Sequence, residues 1–523
     1  MRVPSAAPVR ASFLFAFAFY AAGVACSPPG SSGGTAGQTG TAGRGGQGGS
    51  AGSGSGGTTG GGGSAAGGGS GGTSAGGSGV AGTGGASSGG AMAGRGGTVG
   101  SGGTAGGAGS GGGGTGGGAT GGSGGGTGGS GATGGSGGSS GGAGTGPAIV
   151  IPGAGNCTPP TGANVADAAA AYAKWKTDLL TSDGANGFLR VKRPNSSGAV
   201  VNSTVSEGIG YGMLLSVYAN DQPTFDKLWQ YSQHWLDSNG LMNWYISPDG
   251  TQVLGTGAAS DADEDMAYAL IAADARWGGK GSLSANYIDL AKTQIGKIWQ
   301  YEVDHSHNDV LLPGDMGFAT SPLVINISYF APAYYKVFGK VTGQTTNWNN
   351  AAKTSYDVIE QTLTAQNGNQ NNGLVPAWST NTGTPMAPSG SPGMPTWHQL
   401  DSCRTPYRVA ADYCWNAEPR ALTYLQKITG FYAGIGAANL VDGYDLNGNP
   451  HPTNVTTGGP RAASFNGPAG VGAMATGATY ATLRDQAYVG VATLTELAGS
   501  TYYQESWTGL SLQMMTGLVP APK

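Results

Sequence analysis

The sequence predicts an all-α domain of paired helices, carried at the end of a long glycine-rich tether. Three observations predict it. Of the 120 residues from 27 to 146, 63 are glycine, and most of the rest are Ser, Thr and Ala. That stretch has no Asp, Glu, Lys, Leu or aromatic residue, so it cannot bury enough apolar surface to offset its chain entropy. The remaining 375 or so residues have ordinary composition, enough for one large core. There, apolar residues recur at three and four positions in segment after segment, and alternating strand–helix units are absent. Many helices with long Gly/Asn/Asp/Pro-rich connections suggest stacked helical hairpins, and long loops in a compact domain usually carry function.

The elements follow in order. Met1–Arg10 carries two arginines and no acid, and residues 11–25 (ASFLFAFAFYAAGVA) form an apolar run. The run is shorter than the roughly 20 residues of a membrane span and suits the core of a signal peptide. The following GVAC at 23–26 resembles a bacterial lipobox, which makes Cys26 the expected lipid acceptor. Gly23 stands where a larger aliphatic is usual, so plain secretion and a retained anchor are the alternatives. The expected division is a signal peptide over 1–26, a low-complexity linker over 27–150 and a folded domain over 151–523. A glycine-rich coil of this length reaches roughly 60 Å end to end.

In the folded part, periodicity predicts a helix over Val165–Leu180, a turn-rich stretch over Gly184–Ser197, and helices over Gly210–Ala219 and Pro223–Leu236. Met242–Val253 reads as extended, with a turn at Pro248-Asp249-Gly250. Further helices are predicted over Asp263–Trp277, Asn286–Tyr301, Tyr329–Phe338, Asn349–Thr364, Thr405–Cys414, Glu418–Ile435 and Arg484–Leu497. Three cysteines fall in this part, so at least one is unpaired within the chain. Cys403 and Cys414 on one helix would stand about 16 Å apart, too far to bridge. A bond from Cys157 to either remains open.

Charge narrows the partners. All 28 acidic residues lie beyond residue 146 and four arginines lie before it, so the folded part carries a net charge near −8. An acidic domain without basic clusters argues against nucleic acid, anionic membrane surfaces and acidic polysaccharides. Neutral ligands remain. The aromatics Trp244, Tyr245, Trp378, Trp397, Tyr407, Trp415 and Tyr444 sit in or beside loops with acidic and amide neighbours. That mixture suits a neutral sugar, whose apolar faces lie on rings and whose hydroxyls meet polar groups.

Few residues carry obvious chemistry. The folded part has no nucleophile elbow, no phosphate-cradling loop and only five histidines. Asp304-His305-Ser306-His307 lacks a clear third ligand and reads as a solvated loop rather than a metal site. Asp442, Asp445, Asn447 and Asn449 read as a tight turn rather than a calcium loop. Carboxylates remain. Glu207 is a lone acid among Gly208, Gly210 and Gly212, where backbone can approach a ligand and apolar neighbours can raise a pKa. Asp261, Asp263, Glu264 and Asp265 crowd one helix start, more acids than the helix dipole requires. Asp401 is followed by Arg404 and Arg408, whose charge favours an ionised carboxylate; otherwise it simply caps the next helix. One neutral and one ionised carboxyl are the equipment of glycosidic hydrolysis.

The ordered segments VSEGIGYGM, FDKLWQY, ASDADEDMAYAL, ISYFAPAYY, DSCRTPYR and SFNGPAGVGAM resemble glycoside hydrolase family 8, over most of 165–516. The resemblance implies an (α/α)6 barrel and hydrolysis with inversion. Implied substrates are β-1,4 glycans, neutral or aminated: cellulose, mixed-linkage glucan, xylan or chitosan. It implies Glu207 as general acid, Asp261 as the aspartate holding the sugar at the cleavage point, and Asp401 as base. Tyr329 would line that subsite, Trp244 would stack on sugar, and Arg404 would hold Asp401. Ile209 and Tyr407 depart from the family's usual glutamine and tryptophan; neither removes a catalytic group, both are expected to alter subsite details, and Tyr407 is counted among the substrate-binding residues. The expected protein is a monomeric endoglucanase needing no metal or cofactor. It would touch a membrane only through lipid on Cys26, either at the cell surface or secreted. A xylanase or chitosanase of the same family is the near alternative. A non-catalytic glycan-binding lipoprotein would lose one of the three acids, and a lyase for uronic acids would want basic residues.

Overall fold

The structure, a computed structural model, describes residues 155–194, 200–389, 395–451, 463–493 and 501–520. The expected signal peptide, Cys26 and the glycine-rich linker lie outside these residues, as does the end of the helix predicted to Leu497. Among the described residues there are twelve α-helices: α1 Val165–Leu179, α2 Ser206–Tyr218, α3 Gln222–His234, α4 Ser260–Trp277, α5 Tyr287–Tyr301, α6 Pro332–Thr342, α7 Thr345–Thr362, α8 Arg404–Asn416, α9 Pro419–Ile435, α10 Ala463–Met474, α11 Ala481–Ala492 and α12 Thr501–Met515.

The even-numbered helices form a closed inner ring, each packed on the next, with α12 returning to α2. Each has an odd-numbered partner outside it: α3 on α2, α5 on α4, α7 on α6, α9 on α8, α11 on α10 and α1 on α12. The result is the (α/α)6 barrel. Sequence dictates which helix goes where. Outer helices bury one stripe, as in α5, where Tyr287, Ala291, Gln294, Ile295 and Ile298 face inward. Inner helices are enclosed on all sides. All of α10 is buried, and every residue of α2 is buried except Glu207. Small residues let these rings approach. A Cβ on Gly212 would stand 2.8 Å from Leu228 and 3.0 Å from Trp175, so α2 accepts its outer neighbours only with glycine there.

The structure shifts several predicted boundaries. Helix α2 begins at Ser206, so Glu207 lies in its first turn rather than in a loop before it. Helix α4 begins at Ser260 and takes in all four acids. Tyr329 belongs to a single 3-10 turn, Ile327–Tyr329, ahead of α6. Helices α10 and α12 were not predicted: α10 is buried all round and carries Gly467, Pro468, Gly470 and Gly472, and α12 buries polar residues such as Gln504, Glu505 and Gln513 together with its apolar ones. The extended reading of 242–253 holds: Tyr245–Ile246 and Val253–Gly255 pair antiparallel, with Thr204–Val205 on the other side of Tyr245–Ile246. The amide of Ser206 donates to the carbonyl of Trp244 at 2.9 Å, so this small sheet fixes the start of α2.

The inner helices share one direction, and their N-terminal ends meet at one mouth of the barrel. The chain enters at the opposite end. Cys157 is bonded to Cys414, ten residues and about 15 Å along α8 from Arg404. The amides of Asn156 and Thr158 donate to the carbonyls of Cys414 and Met474, both at 2.9 Å. Among the described residues, Cys403 is the cysteine outside the disulfide, and it is buried.

The Cys157–Cys414 bond spans 257 residues of sequence. Replacing Cys157 with Ser is expected to cost roughly 2–4 kcal/mol of stability, read as a lower midpoint in thermal unfolding. Activity measured well below that midpoint should be unchanged, because the bond lies at the far end from the acidic mouth. An unaltered midpoint would show that the hydrogen bonds alone hold the lead-in segment.

Candidate active site

Four inner helices deliver side chains to one point. Arg404 opens α8 and is wholly buried. Its Nη1 donates to Glu207 Oε2 at 2.7 Å and to Asp261 Oδ2 at 2.6 Å, and Nη2 lies 3.4 Å from Asp401 Oδ1. Its Nε donates to Ser328 Oγ at 3.1 Å and to the carbonyl of Asp401 at 3.2 Å. The guanidinium carbon lies 4.9 Å over the Tyr329 ring. Sequence reasoning expected Arg404 to hold Asp401. It holds all three candidate carboxylates, which come from three separate stretches of the chain.

Exposure separates the three. The side chain of Asp261 is 2% exposed, whereas Glu207 and Asp401 keep 21% and 26%. The latter two are the more open of the three. They bind different nitrogens of one planar fork, so their bridging oxygens are no more than roughly 8–9 Å apart. That separation is compatible with the spacing that leaves room for a water between an acid and a base. The second oxygen of Asp401 accepts from Gln399 Nε2 at 3.0 Å. The second oxygen of Glu207 accepts from the hydroxyl of Tyr502 at 2.7 Å.

One cation faces three carboxyls here. Burial pushes the Glu207 carboxyl up to about 7; Arg404 opposes that shift and Asp261 reinforces it. Near neutral pH, Glu207 therefore holds a proton for much of the time. The N-terminal ends of α2, α4, α8 and α12 add partial positive charge at the same mouth, which limits the cost of the excess acid.

The other acids of α4 fan out as the helix turns. Asp263 accepts from Gln294 of α5 at 2.6 Å, and Glu264 from the Tyr335 hydroxyl of α6 at 2.6 Å. Asp265 takes both arms of Arg408, at 3.0 and 3.1 Å. Arg408 thus sits one turn deeper than expected and does not flank Asp401. Tyr407 is also not brought to the cluster. It is buried edge-on against Trp507, with ring centres 5.3 Å apart, because three residues along α8 from Arg404 the helix faces α12. Trp244 stands beside the start of α2, half-buried and stacked on Tyr245, where a Cβ on Gly255 would overlap its indole. The histidines lie elsewhere. His398 is buried between the Val375 carbonyl and the Tyr432 hydroxyl, and burial lowers its pKa to about 4. His305 and His307 pair with Asp309 and Asp304 in an exposed loop.

Sequence reasoning missed Tyr502, Gln399 and Ser328. Gln399 and Ser328 were within reach, each standing beside a residue already singled out. Tyr502 lies 295 residues from Glu207 and carries no local signal.

Residues 161–518 match the family model described as Glycosyl hydrolases family 8. The chain is 38% identical over 356 residues to endoglucanase A of Acetivibrio thermocellus, covering 68% of this chain and 69% of that one. It is 40% identical over 314 residues to endoglucanase 2 of Ruminiclostridium josui, covering 59% of this chain but only 63% of that one. The solved structure of a β-1,3-1,4-glucanase from Paenibacillus sp. X4 superposes with a TM-score of 0.61 at 28% identity, over 70% of this chain and 96% of that one.

Two outcomes follow from this geometry. Arg404→Lys replaces a fork with a single point charge that cannot reach Glu207, Asp261, Asp401 and Ser328 together. Misplacement of about 1 Å is enough for roughly a 100-fold loss of turnover, checked by steady-state rates beside a circular dichroism spectrum. The second concerns pH. Burial raises Glu207 and Glu505 to about 7, and Asp237 and Asp265 to about 6. Between the ordinary carboxyl range near 4 and these values, the folded state binds more protons than the unfolded one, so stability falls as pH rises through about 4 to 7. The thermal midpoint should be higher at pH 5 than at pH 8.

Proposed function

The chain belongs to the glycosyl hydrolases of family 8, and from that premise we propose that it is an inverting endoglucanase. Its substrate would be cellulose or mixed-linkage β-glucan, cut at internal β-1,4 bonds. The observation that carries this reading is the buried Arg404 holding two partly exposed carboxyls, one raised towards neutrality. In this reading, Glu207 gives its proton to the departing glycosidic oxygen as the bond to the anomeric carbon breaks. A water attacks that carbon from the opposite ring face, and Asp401 takes the proton the water loses. Afterwards Glu207 regains a proton and Asp401 releases one, both by exchange with solvent. Asp261, buried against the same guanidinium, is the residue proposed to hold the sugar at the cleavage point. Tyr329 lines that subsite and Trp244 supplies a stacking face. The acidic balance of the domain favours a neutral chain over an acidic one.

Export belongs to the same proposal. The apolar run over 11–25 and the GVAC sequence support a signal peptide with lipid on Cys26. The Cys157–Cys414 bond supports an oxidising compartment. The tether would then hold the enzyme at the cell surface, with lipid as its one membrane contact.

The test uses purified protein on cellulose, mixed-linkage glucan, xylan and chitosan, with release of reducing ends as readout. The two glucans should be the best substrates, and Glu207→Gln and Asp401→Asn should each lose activity by roughly 100-fold or more while the fold is kept. Proton NMR of early product should show the α-anomer first. Activity should fall on the alkaline side as Glu207 loses its proton near pH 7. Normal turnover by Glu207→Gln, or β-anomer as first product, would overturn the assignment.

A further inference from the structure

We propose that Tyr502 is a positioning residue for the acid, fixing which oxygen of Glu207 carries the transferable proton and stabilising the carboxylate left behind. The proposal rests on the reading of Glu207 as the acid. A protonated carboxyl has two unequal oxygens. Glu207 Oε2 faces Arg404 Nη1 at 2.7 Å, and a guanidinium only donates. A proton on Oε2 would point at an N–H, so Oε2 must remain the acceptor. The acid proton is thereby placed on Oε1, whose partner is the Tyr502 hydroxyl at 2.7 Å. A phenol donates and accepts, so it suits Oε1 in either protonation state.

Donation from Tyr502 to one lone pair of Oε1 leaves the proton on that oxygen free to point at the glycosidic oxygen. As the proton leaves, negative charge grows on Oε1 and the bond from Tyr502 becomes charge-assisted. An interaction that strengthens only as the proton departs contributes to turnover rather than to binding.

The seat of Tyr502 is built for this contact. It lies in the first turn of α12, and its ring rests on the backbone of Gly208, the residue after the acid. A Cβ there would meet the ring at 3.0 Å and the hydroxyl at 3.2 Å. The Tyr502 carbonyl accepts from Ser506 Oγ at 2.7 Å, and the Trp175 indole of α1 donates to Ser506 Oγ at 3.1 Å. Burial holds the phenol well above its ordinary pKa, so it remains a hydroxyl while the enzyme works.

Tyr502→Phe keeps the ring and removes only the donor. The full-length enzyme and this variant are compared across pH on mixed-linkage glucan and on a dinitrophenyl β-cellotrioside, whose leaving group needs no protonation. On the polymer, kcat should fall about tenfold, from loss of one hydrogen bond to a charged group, with KM little changed. The alkaline limb should move up, because the ionised form of Glu207 has lost a donor. On the aryl glycoside the loss should be slight. Equal losses on both substrates with an unmoved limb would overturn the proposal and leave Tyr502 a packing residue. Glu207→Gln is run in parallel: it should be inactive on polymer, and retained polymer activity would instead overturn the reading of the acid.

Discussion

A single buried guanidinium organises this molecule's chemistry. Arg404 has no exposed surface and meets Glu207, Asp261 and Asp401 together. Burying such a charge is costly unless every donor is used. Here each nitrogen has an oxygen partner, including Ser328, which is itself bonded to Asn326. The arrangement is also one-sided. Three carboxyls against one cation is an excess of acid, and burial raises the carboxyl of Glu207 to about 7. Exposure then grades the three: Asp261 is nearly enclosed, whereas Glu207 and Asp401 keep about a quarter of their side chains or slightly less open.

The barrel makes that convergence possible. Six inner helices running the same way place their first turns at one mouth, and first turns favour negative charge. Helix α2 shows the division of labour most plainly. Twelve of its thirteen residues are packing, glycine included, and the thirteenth is the proposed acid. The opposite mouth carries the structural ties. There the disulfide and two backbone bonds fasten residues 156–158, a full helix length from the carboxyls.

Legibility of the sequence followed the same division. The outer helices were readable because each shows water one face, which leaves a periodic stripe. The inner helices α10 and α12 were not: α10 is buried all round and its glycines look like breakers, and α12 buries polar residues along with its apolar ones. The candidate carboxylates were legible as chemistry: an acid among glycines, a crowded acidic helix start, an aspartate beside arginines. Their shared partner was legible only in part. Arg404 could be paired with Asp401 from sequence neighbourhood, but its bonds to Glu207 and Asp261 join residues 197 and 143 positions away. Tyr407 and Arg408 were placed too near the site for a related reason. Tyr407 is turned about 60° from Arg404 and meets α12, whereas Arg408, four residues on, keeps the face of Arg404 but lies one turn deeper.

The crowding of acids at α4 is best understood through that turn. Asp261, Asp263, Glu264 and Asp265 look self-repelling when written in a line. On the helix they project to α8, α5, α6 and again α8 one turn deeper, each to its own donor. Asp261 and Asp265 share a face and would repel most, and it is these two that face the paired cations Arg404 and Arg408. The same four-residue spacing therefore appears on both helices, and the two rungs interlock. The deeper rung is closed by both arms of Arg408 on the two oxygens of Asp265, with Glu264 Oε2 3.9 Å from the same guanidinium. The upper rung is open: Arg404 spends one nitrogen on Asp261 and Glu207 together and leaves the other for Asp401. A closed rung beneath an open one fixes the register of α4 against α8, and so sets where Asp261 can stand relative to the two exposed carboxyls.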